Sequence, residues 1–172
     1  MPTTLVLGGA RSGKSTFAEA TVRASGLERV YVATAPVPDG SDPDMLARVE
    51  RHRADRGEGW LLVEEPLDLV GVLAEHAGDR RAVLVDCLTL WLSNLMERGQ
   101  DVDAATAELA GALSGCAGEV VLVSNEVGLG VHPATDLGRV FRDHQGRVNQ
   151  RVAAACDVVR LVVAGIPVAV KG

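Results

Sequence analysis

The chain has 172 residues, enough to bury one core but short for two domains, so a single domain over residues 1–172 is expected. Hydrophobic residues make up 47%, charged residues 23%, and the net charge is −6, which excludes a disordered chain and argues against nucleic-acid binding. No apolar run approaches the roughly 20 residues of a membrane span. The opening MPTTLVLGG lacks a charged leader, so a cytoplasmic protein without a membrane span is expected. Cys87, Cys116 and Cys156 are odd in number and set among small or apolar residues, which reads as packed, reduced thiols.

In chain order, the apolar run Thr4–Leu7 predicts a strand, and GGARSGKS then leads into a helix over Lys14–Ala24. A second strand at Val30–Ala33 precedes PVPDGSD, Pro36–Asp42, whose composition marks a mobile loop over the ligand-binding end. Asp42 and Pro43 then start a helix over Pro43–Arg56, as N-cap and first helical residue. Strands at Leu61–Val63, Ala82–Val85, Val120–Val123 and Val158–Val163 alternate with helices over Leu67–His76, Leu90–Arg98, Val102–Leu113 and Thr135–Ala155. The closing GIPVAVKG predicts a hairpin that adds an antiparallel edge strand. Such alternation defines the α/β class, and the near-continuous apolar strands predict a mostly parallel sheet with both faces covered by helices.

The segment Gly8, Gly9, Ala10, Arg11, Ser12, Gly13, Lys14, Ser15 fits G-x-x-x-x-G-K-[S/T] between a strand and a helix, the context that makes it a phosphate-binding loop. Glycines let backbone N–H groups converge on phosphate oxygens at the helix N-terminus. Lys14 reaches the β- and γ-phosphates, and Ser15 offers its hydroxyl to Mg²⁺. Asp86, ending RAVLVD, is placed either to complete the Mg²⁺ site or to cap the following helix. Ser124, Asn125 and Glu126 are expected at the carboxyl edge, where open α/β sheets bind ligands. Glu126 has two readings, orienting an acceptor hydroxyl or capping the loop GLGVHPA.

RVERHRADR, residues 48–56, carries His52 among arginines. Met45, Val49, His52 and Arg56 share one helical stripe, so His52 lies on the apolar face. Nearby cations favour the neutral imidazole, which can attack phosphorus, and the same arginines offset charge on a displaced polyphosphate. A buried structural histidine is the other reading. His76 is expected to cap its helix C-terminus, His132 to be a loop residue, and His144 to lie on a polar helix whose arginines meet substrate, a neighbouring subunit or solvent.

GGARSGKS, VYVATA, RVERHRADR with the following GW, VEEPLDL, VLVDCLTLWLSNL, VSNEVGLG, FRDHQGRVNQRVAAACD and VVAGIPVAVKG together resemble one family over essentially the whole chain. It is the bifunctional adenosylcobinamide kinase/adenosylcobinamide-phosphate guanylyltransferase family of cobalamin biosynthesis. The resemblance implies a P-loop NTPase of RecA-like architecture, assembled as a homotrimer. Its substrates are ATP or GTP, adenosylcobinamide and the phosphate of adenosylcobinamide. GMP passes from GTP through a guanylylated histidine, giving adenosylcobinamide-GDP and pyrophosphate. The histidine matches His52. Nucleotide contacts carry over to Gly8–Ser15, to Ala33, Thr34 and Ala35, to Arg53, Ala54, Asp55 and Arg56, and to Glu64 and Asp86, with Ser15 and Asp86 toward Mg²⁺. One departure stands out: where the family pattern has Val-Pro-Glu, this chain has Val131, His132, Pro133, Ala134.

Overall fold

A computed structural model describes residues 1–35 and 57–172. The expected loop Pro36–Asp42, the helix Pro43–Arg56 and the candidates His52, Arg53, Ala54, Asp55 and Arg56 lie outside the described residues. The described elements run β1 (Thr3–Gly8), α1 (Lys14–Ala24), β2 (Glu28–Ala33), β3 (Trp60–Glu64), α2 (Leu69–His76), β4 (Arg81–Asp86), α3 (Leu88–Glu97), α4 (Val102–Ser114), β5 (Glu119–Asn125), α5 (Asp136–Ala155), β6 (Val158–Val163) and β7 (Ile166–Lys171).

Within these residues the strands form one sheet in the order β3-β2-β4-β5-β1-β6-β7. All neighbours are parallel except the β6–β7 hairpin. The strand β5 therefore separates the strand leading into the glycine-rich loop from the strand ending in Asp86. Both loops open at the same carboxyl edge.

Side chains alternate across a strand, so each apolar run serves two layers. Leu5, Val30, Val32, Val83, Val85, Val120 and Leu122 pack with residues of α2, α3, α4 and α5. Val6, Tyr31, Leu84, Val121, Val123 and Val162 pack with Ala18 and Val22 of α1. Helices thus lie on both faces, as expected, but coverage fails at the margins. Leu61 and Leu62 of β3 and every residue of β7 are exposed, because the described helices stack over the central strands.

Helix starts follow side-chain caps. Asp68 accepts from the Gly71 N–H at the start of α2, Asp101 from the N–H groups of Asp103 and Ala104 at α4, and Thr135 from Gly138 N–H at α5. The cap at Asp68 puts the start of α2 at Leu69 rather than Leu67, after a turn in which Glu65 accepts from the Leu67 and Asp68 N–H groups. The helix α3 starts at Leu88, earlier than Leu90, directly after β4. At the far end of α5, the Lys171 ammonium donates to the carbonyls of Ala153, Ala154 and Cys156. No helix among the described residues is long and apolar enough to cross a membrane.

Candidate active site

The glycine-rich loop leaves β1 at Gly8. A side chain there would put its Cβ 2.4 Å from Ser12 Oγ and 2.8 Å from the Val162 carbonyl oxygen, so the turn closes only around glycine. Gly13 has φ 92° and starts α1 with no side-chain cap of its own, the arrangement of a helix N-terminus that binds an anion. The Lys14 ammonium donates to the Gly9 carbonyl at 3.2 Å, lying across the loop. Beneath it, the β6–β7 turn bends through Ala164 (φ 51°) and Gly165 (φ 80°), and Gly165 N–H donates to the Ser12 carbonyl at 2.7 Å. The predicted edge hairpin thus also braces the phosphate loop.

Across the sheet, register sets Ala33 level with Glu64 on one side and Asp86 on the other. Asp86 is level with Val123, which is level with Val6, two residues before Gly8. Asp86 points to the α1 face, toward the side where Lys14 and Ser15 begin the helix. The N-cap position of α3 belongs to Cys87, not Asp86, and Asp86 Oδ2 accepts from Tyr31 Oη at 2.9 Å. The capping reading of Asp86 is therefore set aside.

Thr34 has no exposed surface. Its hydroxyl donates to the Cys87 carbonyl and accepts from Cys87 N–H, both at 2.8 Å, while its carbonyl accepts from Asn94 Nδ2. It ties the ends of β2 and β4 together behind the site, while Ala33 and Ala35 are half-buried and Glu64 is exposed. The Cys87 thiol is pushed up by burial and by the Asp86 charge, partly opposed by the Leu90 and Thr89 N–H groups and, least, by Lys14. Burial also raises Cys116 and carries Cys156 to about 11; all three thiols are free, Cys87 and Cys156 buried and Cys116 half-buried.

Ser124 departs from expectation. It is fully buried, donating to Asn149 Oδ1 at 2.6 Å and accepting from Gln145 Nε2 at 2.9 Å, inside a polar knot under α5. Asn149 Nδ2 continues this knot to the Asn125 carbonyl at the edge. Glu126 follows the loop-capping reading: its carboxylate accepts from Gly128 N–H at 2.5 Å, and its own N–H donates to the Gly8 carbonyl. The arginines of α5 serve their own chain in part. Arg139 bonds the Pro133 and Ala134 carbonyls and Asp136, and Arg151 pairs with Asp103.

His76 does not cap α2 through Nδ1, which is buried without a partner among the described residues, while its Nε2 lies 3.7 Å from Glu75. His132 is exposed in its loop, and His144 Nδ1 is 3.1 Å from an Arg147 nitrogen.

A phosphate loop and a strand-end carboxylate on the same sheet face, with one strand between them, define a P-loop nucleotide-binding fold. The fold is shared with an ATPase of a type III secretion system at a TM-score of 0.57 and 10% identity, over 98% of this chain and 56% of that one, so this chain spans just over half of that ATPase. The sequence profile of the cobinamide kinase/cobinamide phosphate guanyltransferase family matches residues 4–170, and the chain belongs to that family. It is 45% identical over 170 residues to the bifunctional adenosylcobalamin biosynthesis protein CobP of Pseudomonas aeruginosa, covering 98% of this chain and 96% of that protein. It is 42% identical over 182 residues to the corresponding protein CobU of Escherichia coli K12, covering 97% and 98%.

Proposed function

We propose that both family reactions, phosphorylation of adenosylcobinamide and guanylylation of its phosphate, run at the carboxyl edge between the Gly8–Ser15 loop and Asp86. The observation that carries this reading is the register that sets Asp86 on the α1 face, level with the strand feeding the loop. In the kinase step, loop N–H groups and Lys14 hold the triphosphate, and the acceptor hydroxyl displaces the nucleoside diphosphate from the γ-phosphorus. In the transferase step, an imidazole nitrogen of His52 attacks the α-phosphorus of GTP, forming a P–N bond and releasing pyrophosphate. The phosphate of the substrate then displaces His52, forming the diphosphate and restoring the imidazole. Arg53 and Arg56 offset the charge on the leaving pyrophosphate.

The residues present suit Mg²⁺ carried with a nucleotide. Ser15 and Asp86 supply one hydroxyl and one carboxylate, and no group of three or more His, Cys, Asp or Glu among the described residues could hold a metal ion. Mg²⁺ takes most of its ligands from phosphates and water, and it would neutralise charge building on the bridging phosphate oxygens. We assign the chain to the cytoplasm as a homotrimer. The exposed aliphatic residues of β3 and β7 support association between copies.

Incubation with α-labelled GTP tests the transferase half. An acid-labile, base-stable protein adduct that disappears in His52→Asn supports it.

A further inference from the structure

Asp86 closes β4 half-buried, and its partner comes from the next strand. Tyr31 is level with Leu84, two residues before Asp86, so all three side chains share the α1 face. Its phenol reaches along the strand to Asp86 Oδ2 at 2.9 Å. No hydrogen-bond donor among the described residues is bonded to Oδ1. The ring itself is fixed: Tyr31 is 6% exposed, and Trp60 meets it edge-on at 6.0 Å and 89°. Trp60 in turn carries the guanidinium groups of Arg23 and Arg29 at 5.6 and 5.5 Å. Arg29 is anchored to the Gly59 and Glu58 carbonyls.

A phenol is a neutral donor. It fixes the rotation of the carboxylate and occupies one oxygen, yet leaves the negative charge intact, whereas a lysine or arginine there would compete with a cation. We propose that Tyr31 is a positioning residue for the metal–nucleotide complex, holding Asp86 with Oδ1 directed to the cation or its bound water. This rests on the reading of Asp86 given above.

The test uses Mn²⁺ with GTP, with bound metal read by electron paramagnetic resonance. Tyr31→Phe keeps the ring packing and removes one charge-assisted hydrogen bond, so Mn²⁺ affinity of the protein–GTP complex should fall roughly 3- to 15-fold. GTP affinity without metal should stay unchanged, and KM for Mg²⁺ should rise while kcat at saturating Mg²⁺ recovers. Because Tyr31 is the only tyrosine, present once in the chain, resonance Raman bands of its phenol supply a second readout in the unaltered protein. They should shift on adding Mn²⁺ and GTP in the wild type and stay still in Asp86→Asn. If Asp86→Asn weakens Mn²⁺ binding but Tyr31→Phe leaves it within twofold and the phenol bands do not move, Tyr31 is structural only. If Asp86→Asn itself binds Mn²⁺ normally, the reading of Asp86 is overturned as well.

Discussion

Gly8 and Ser12 face each other so closely across the phosphate loop that a Cβ on Gly8 would lie 2.4 Å from the Ser12 hydroxyl oxygen. A second obstacle is backbone, the Val162 carbonyl at 2.8 Å, which cannot rotate away. Gly8→Ala should therefore lower nucleotide affinity by at least about tenfold, a loss of roughly 1.4 kcal/mol, measured by calorimetric titration. Among the described residues a Cβ on Gly9 would meet no atom within 4 Å, so Gly9→Ala should fold with an unchanged thermal midpoint.

Lys14 and Asp86 are assigned to the chemistry rather than to the fold. Lys14→Ala and Asp86→Asn should each reduce phosphorylation of cobinamide by about 10²- to 10³-fold, the range for removing a preorganised electrostatic partner. Their urea unfolding midpoints should stay near wild type, and a parallel loss of stability would argue for structural roles.

The polar knot under α5 should behave in the opposite way. Asn149→Ala removes partners from Ser124, Gln145 and the Asn125 carbonyl at once, with Ser124 and Gln145 fully buried. A cost of about 1–3 kcal/mol in urea unfolding is expected, with no change in the slope that reports exposed surface.

Asp157 gives the fold an acid limit. Its carboxylate accepts from the Thr3 N–H and hydroxyl, which holds it below its ordinary value of 3.8. The folded state therefore favours the ionised form, so this contribution is present above 3.8 and is lost as pH falls through the lower folded value. Asp157→Asn should flatten the acid limb of a stability profile below pH 4 and lower stability at neutral pH.

Strands were legible because apolar runs are local, whereas the caps at Asp68 and Thr135, which start two helices later than expected, were not read from the sequence. The brace from Gly165 to Ser12 and the phenol of Tyr31 on Asp86 were not, since strand order alone brings those residues together. Ser124 was misjudged despite a usable signal. It alternates with Val120 and Leu122 toward the helical layer, while Gln145, Asn149 and Val152 share one stripe of α5. The same stripe logic placed His52 on an apolar face, outside the described residues.

The most direct test is covalent capture of the guanylyl group. Wild-type protein incubated with α-labelled GTP and Mg²⁺ should carry one acid-labile, base-stable label per chain, mapped to the peptide containing His52, and His52→Asn should carry none. Equal labelling of the two proteins, or a label on any other residue, would contradict the account.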